Sequence, residues 1–159
     1  MTLCQQSENK LILLIYLVIY TLNLDYIFSN ECINWSSGGG ILAKHDFGII
    51  DSFEDDKWYS DYEPEKYNCI SVSDALIEQL LIRYLKEIGN LKTYFHVKKH
   101  PALGLDYCGT TIIPPSSVKD FKRIIINANL YYNSKELDKL IKKLNIAIKE
   151  NKYVIHYGI

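Results

Sequence analysis

The chain has 159 residues, of which 48% are apolar and 23% are charged. This composition is that of a globular protein and excludes a long disordered chain, and the length fits one domain with its own core. The net charge is only −1, but residues 1–82 carry 13 acidic and 4 basic side chains, whereas residues 83–159 carry 6 acidic and 14 basic ones. This asymmetry predicts attraction between the two halves in the folded domain, a charged partner, or both.

An apolar segment, residues 1–24, precedes the predicted domain, residues 25–159, and its apolar run covers residues 11–20. The run is shorter than the ~20 residues of a membrane span, and no small-residue cleavage site of a signal peptide follows it. Its β-branched and aromatic content favours a buried core strand or helix. A signal or membrane anchor, or an extension from a wrongly chosen start codon, are the alternatives.

The next part of the chain reads as strands and loops. Residues 26–28 continue an extended segment, and the glycines at 38–40 predict a turn. Residues 41–50 suit one arm of a hairpin with its tip at those glycines. Residues 51–67 predict a long surface loop, because seven acidic residues and two lysines are interleaved there with the aromatic residues Phe53, Trp58, Tyr59, Tyr62 and Tyr67.

Helical and strand patterns are clearer beyond residue 70. Capping signatures predict helices opening at Ser71, Ser117 and Asn133, and Gly89 is placed to end the first of them. The apolar stripes of these helices comprise Ile77, Leu80, Leu81, Tyr84 and Ile88, then Val118, Phe121, Ile124 and Ile125, then Leu137, Leu140, Ile141, Leu144 and Ile148. Residues 91–97, 107–113 and 153–157 predict strands.

Strands and helices do not alternate strictly along the chain, which disfavours a parallel doubly wound sheet. The sequence therefore predicts a single α+β domain, with a mostly antiparallel sheet packed against about three helices.

Residues that could carry chemistry are present, but their patterns are incomplete. The glycines at 38–40 lack the Gly-Lys-Ser/Thr of a phosphate loop. His96 and His100 have helical metal-ligand spacing in a segment that reads as extended, so neither a metal site nor a cofactor is predicted. The cysteines Cys4, Cys32, Cys69 and Cys108 form no CxxC pair and are predicted to be reduced, with a disulfide possible only if the protein is exported.

Two further functions have weak support in the sequence. Cys108 could act as a nucleophile with His96 or His156 as its base, although a strand cysteine is more often a small buried hydrophobe. The third predicted helix carries lysines that could contact nucleic acid, but no base-reading motif accompanies them, and solvated helix faces show the same pattern. These lysines are Lys139, Lys142, Lys143 and Lys149.

The acidic and aromatic segment 51–67 is the best candidate for a functional site. Aromatic anchors provide contact area at little entropic cost, and carboxylates steer a basic partner. The alternative is a solvated loop with Trp58 and one or two tyrosines in the core. We predict partner contacts through Asp51, Glu54, Asp55, Asp56, Trp58, Tyr59, Asp61 and Tyr62.

Three stretches of the chain resemble the small immunity proteins of bacterial polymorphic-toxin and contact-dependent growth inhibition systems. They are GGILAKHDFGI at 39–49, YCGTTIIPP at 107–115 and ENKYVIHYGI at 150–159. The resemblance covers the general layout from about residue 25 onward and assigns no individual binding residue. It implies a cytoplasmic, non-enzymatic antidote that binds one cognate toxin domain.

The leading hypothesis from the sequence is therefore an immunity protein that blocks the active site of a basic, nuclease-type effector and does not itself bind nucleic acid. Two alternatives remain open. One is a small hydrolase or transferase that uses Cys108 or the histidines. The other is an interaction protein tethered to a membrane by residues 11–24.

Overall fold

The computed structural model describes residues 44–158. The strands within them are β1 (Lys44–Ile50), β2 (Ile70–Ser73), β3 (Lys92–Phe95), β4 (Pro101–Leu103), β5 (Thr110–Ile113) and β6 (Tyr153–Gly158). The helices within them are α1 (Asp74–Arg83), α2 (Leu85–Gly89), α3 (Pro115–Tyr132) and α4 (Lys135–Glu150).

The six strands form one antiparallel sheet in the order β2-β1-β6-β5-β3-β4. Strands β1 and β6 are neighbours inside the sheet, and Phe47 on β1 lies opposite His156 on β6. The predicted α+β class with an antiparallel sheet is confirmed. The sequence predicted that residues 41–50 form one arm of a hairpin with its tip at the glycines. Strand β1 instead pairs with β2 along one edge and with β6 along the other.

The four helices cover one face of the sheet, and the predicted apolar stripes form the core beneath them. Phe121 and Leu140, from α3 and α4, are fully buried against Phe47 and Val154 of β1 and β6. The stripe of α1 and α2 contributes Ile77, Leu80 and Ile88 to the same core. Packing of helices against a single sheet face stabilises the domain through the hydrophobic effect.

Two short strands and several helix starts differ from the prediction. Residues 70–73 form β2 rather than a helix cap, so α1 begins at Asp74, and β4 was not predicted. Helix α3 begins at Pro115, where proline suits a first helical position, and Ser117 is buried inside the helix. Ser134, not Asn133, caps α4 by accepting a hydrogen bond from the Glu136 backbone. The predicted capping residues have other places in the fold: the Ser71 hydroxyl donates to Asp46, and Ser117 lies within α3.

The predictions for residues 1–43, including the apolar run, the first extended segment and the glycine turn, lie outside the described residues. Among residues 44–158, no helix has both the length and the apolar character needed to cross a membrane.

Candidate partner-binding surface

The segment at residues 51–67 forms a second layer on the sheet face opposite the helices. Phe53 and Tyr59 are buried there, and Ile155 and Tyr157 of β6 lie in the same cluster. The Phe53 ring centroid lies 5.3 Å from that of Tyr94. The predicted loop is thus irregular in backbone but is anchored to the sheet by aromatic packing.

Trp58 is held on the outside of this layer, with 53% of its surface exposed. Its ring stacks on His96 at a centroid distance of 5.3 Å and an interplanar angle of 5°, and it meets the edge of His100 at 5.9 Å. The neighbouring Tyr59 backbone N–H donates to the His96 carbonyl at 2.8 Å. Contacts on two sides fix an exposed indole that would otherwise sample several rotamers.

The alternative reading, a solvated loop with Trp58 and one or two tyrosines in the core, is therefore wrong for Trp58 and correct for Tyr59. The adjacent residue, Tyr59, takes the buried position instead, since only one of two neighbours in an extended chain can face the sheet. The same burial removes Tyr59 from the predicted contact residues. The other seven, Asp51, Glu54, Asp55, Asp56, Trp58, Asp61 and Tyr62, are exposed at least in part.

Lysines from the C-terminal half offset much of the negative charge of the segment. Asp55 pairs with Lys98 at 2.5 Å, Asp56 pairs with Lys99, and Asp51 pairs with Lys152 at 2.9 Å. The hydrogen bond from Lys98 lowers the pKa of Asp55. The charge asymmetry predicted attraction between the two halves, a charged partner, or both. These three ion pairs show the attraction between the halves.

Tyr62 connects the segment to a buried carboxylate on β1. Its hydroxyl donates to Asp46, which also accepts from the Ser71 hydroxyl and lies 3.4 Å from the Lys44 ammonium group. The Tyr62 ring meets Tyr157 edge-on at 5.3 Å. An open groove of about 640 Å³ borders this cluster. Because donors already occupy both oxygens of Asp46, the cluster positions the segment and leaves little for a ligand to bind.

A chain of buried polar groups lies on the helix-covered face of the sheet. His45 on β1 and His156 on β6 are fully buried, and His45 Nδ1 lies 2.9 Å from His156 Nε2. His45 Nε2 lies 3.1 Å from the Asp74 carboxylate, which also accepts from the Tyr107 hydroxyl. His156 Nδ1 lies 3.5 Å from the Thr111 hydroxyl.

One tautomer of each ring satisfies this whole chain. His45 Nε2–H donates to Asp74, His156 Nε2–H donates to His45, and the Thr111 hydroxyl donates to His156. Burial lowers the pKa of His45 despite the opposing effect of Asp74, and burial together with the His45 charge lowers the pKa of His156 well below its usual value. Both rings are fully buried, and the network links β1, β5 and β6 with the start of α1.

This network was not predictable from the sequence, because its two histidines are 111 positions apart. The other histidine pair lies in a non-helical segment, as predicted. His96 and His100 lie on the turn between β3 and β4, where His96 has a φ of 58° and both rings contact Trp58. Within residues 44–158, no three His, Cys, Asp or Glu side chains are grouped closely enough to hold a metal ion.

Cys108 and Lys143 depart from the sequence prediction, whereas Cys69 agrees with it. Cys108 is disulfide-bonded, so its sulfur is not the thiol that nucleophilic catalysis requires. Cys69 is free, and burial raises the pKa of its thiol to about 12, which keeps it protonated and unreactive. Lys143 is buried and donates to the Asn68 carbonyl, and burial lowers the pKa of its ammonium group. It is therefore not part of a solvated face.

No family model, no curated protein and no solved structure matches the chain.

Proposed function

We propose that the chain is an immunity protein that binds a basic toxin domain and blocks its active site, with no catalytic activity of its own. The proposal rests on the exposure of Trp58. Its large aromatic side chain is exposed to solvent and is kept in one orientation by stacking on His96. Indole rings fixed in this way are typical anchors of protein interfaces, since they bury much area and lose little entropy.

The charge around Trp58 supports a basic partner. Asp55, Asp56 and Asp61 lie on the same segment, and the lysine partners of the first two leave their carboxylates largely exposed. Exposed ion pairs are weak and exchange readily, so an incoming cationic surface can compete for these carboxylates. Such a surface is expected of an enzyme that acts on nucleic acid. Occluding that surface needs binding residues only, which is why we propose an antidote and not an enzyme.

The first experiment is capture of partners with tagged protein from cells of the source, followed by mass spectrometry. We expect one basic toxin fragment in stoichiometric amount. Replacing Trp58 with Ala should raise the Kd about 30-fold, the ~2 kcal/mol typical of an interface anchor. Tyr131→Ala is the matched control, since Tyr131 is an exposed aromatic on α3, with 63% of its surface accessible. Equal affinity of both variants would exclude Trp58 as an anchor.

A second variant addresses steering by charge. Reversing Asp55 and Asp56 to lysine should slow association and reduce its dependence on salt, with a smaller effect on dissociation. Asp120→Lys, which reverses an exposed carboxylate on α3, is the control. Association rates measured across a salt series decide the question. Unchanged rates for the double variant would contradict a role of this surface in encounter.

We propose that this activity is cytoplasmic, which requires the disulfide of Cys108 to be reduced in cells, and the redox state of Cys108 is the test. Disulfides persist in oxidising compartments, whereas the cytoplasm keeps thiols reduced. Alkylation with a mass tag before cell lysis reports the redox state of Cys108 in cells. Reaction with the tag is expected for the cytoplasmic proposal. Protection from the tag that a reductant abolishes would assign the chain to an oxidising compartment.

A further inference from the structure

A small cavity lies beside Trp58, between the segment at residues 51–67 and the sheet. Its volume is about 120 Å³, and four of its eight lining residues are aromatic: Trp58, Tyr59, Tyr67 and Tyr157. The other four are charged and comprise Lys57, Lys66, Asp61 and Glu63. An engineered cavity of roughly 150 Å³ is large enough to bind benzene. The cavity therefore has room for one planar group of a side chain, and a nucleotide would not fit.

The walls of the cavity already bind cations of the protein itself. The Lys57 ammonium group lies 5.0 Å from the centre of the Tyr59 ring, and the Lys66 ammonium group lies 5.3 Å from the centre of the Tyr67 ring. Both distances fall within the ~6 Å range of cation–π attraction. The aromatic faces around the cavity are thus oriented for positive charge.

One carboxylate at the cavity remains available for a further cation. Lys57 pairs with Glu54 at 3.3 Å, and Lys66 pairs with Glu63 at 2.7 Å, so these charges are matched locally. Asp61 also lines the cavity and has no ion pair or hydrogen bond to any other residue of the range 44–158. A cation that entered beside Trp58 would find in Asp61 a carboxylate that no lysine of this part of the chain neutralises.

We infer that this cavity receives an arginine side chain of the basic partner protein. The guanidinium plane stacks on aromatic faces and forms hydrogen bonds with carboxylates. Trp58 and Asp61 line the cavity and supply one group of each kind. The inference rests on the proposed function and deepens it, because it assigns the anchor on the partner. Lysine lacks the planar group, so it should bind here more weakly.

The test uses N-acetyl-argininamide as the probe, with the full chain followed by NMR. The Trp58 indole N–H resonance, assigned through its loss in Trp58→Phe, should shift on titration into the millimolar range. N-acetyl-citrullinamide, the neutral analogue of nearly the same shape, should shift it far less. Asp61→Asn should weaken arginine binding about threefold to tenfold, the scale of one charged contact at a half-open site.

Asp120→Asn on the helix-covered side is the matched control and should leave the titration unchanged. Equal shifts by the arginine and citrulline compounds, no shift with either, or a larger shift with N-acetyl-aspartamide would each overturn the arginine pocket. These outcomes separate the pocket from the antidote proposal. Capture of a toxin that binds Asp61→Asn as tightly as the unaltered chain refutes the pocket alone, and arginine binding without any toxin partner refutes the antidote alone.

Discussion

The buried pair His45 and His156 should make the stability of this domain strongly dependent on pH. The folded state keeps both rings neutral, because burial lowers their pKa values below those of the unfolded chain. A histidine whose folded pKa is lowered contributes its full stability above the unfolded pKa of about 6.5. That stability is lost as the pH falls below 6.5 towards the folded pKa, since only the unfolded state then binds the proton.

The size of the effect follows from linkage. Each histidine that stays neutral in the folded state costs about 1.4 kcal/mol of unfolding free energy for every unit of pH below the unfolded pKa. Replacing His156 with Gln removes one of the two titrating rings and keeps a polar group near His45 Nδ1. The variant should be less stable than the unaltered chain at neutral pH. It should then lose about 1.4 kcal/mol less per unit on acidification.

Urea unfolding at a series of pH values between about 7 and 5 measures both slopes. Carboxylates that titrate in the same range are common to both proteins and cancel in the difference. His100→Gln, which removes an exposed histidine outside the buried pair, is the matched control. Equal loss of stability for His156→Gln and the unaltered chain would refute the assignment of His156 as a buried neutral group.

Two further predictions concern the local structure. Gly48→Ala should destabilise the domain by about 1–3 kcal/mol, because a Cβ there would lie 2.7 Å from the Tyr67 Cβ and 2.9 Å from the Tyr67 carbonyl oxygen. Thermal unfolding measures the loss. Gly89→Ala is the control and should be neutral or stabilising, because no atom lies within 4 Å of a Cβ at that position. Ser134→Ala should lower the free energy of unfolding by about 1 kcal/mol, because the variant loses the α4 cap. Ser116→Ala, at an exposed position of α3, should have little effect. Urea unfolding measures both, and equal losses would contradict the capping role of Ser134.

The helices were predictable because their signal is periodic. Apolar residues at three- and four-residue intervals define one buried face whatever lies opposite, as the stripe through Phe121 and Ile125 shows. The strand β2 has no such signal. Its serines are equally suited to capping a helix, and the choice is decided by pairing with β1, where the Ser71 hydroxyl donates to Asp46.

The sequence predicted segment 51–67 as a surface loop but not the placement of its individual side chains. Composition singled out residues 51–67, since acidic and aromatic residues alternate there without a helical or strand period. Nothing in that order tells which aromatic faces the sheet, because tertiary contacts make the choice between Trp58 and Tyr59. The pairing of Asp55 with Lys98, 43 positions away, is likewise set by the fold.

The second layer divides two tasks between residues that are neighbours in sequence. Phe53 and Tyr59 are buried and pack the segment against the sheet, whereas Trp58 and Asp61 are exposed. Substitutions at the outward positions can therefore change what the surface recognises at little cost to folding, because surface changes usually alter stability by less than about 0.5 kcal/mol. A lineage that must keep pace with a changing partner could diversify this layer rapidly while the sheet and helices stay the same.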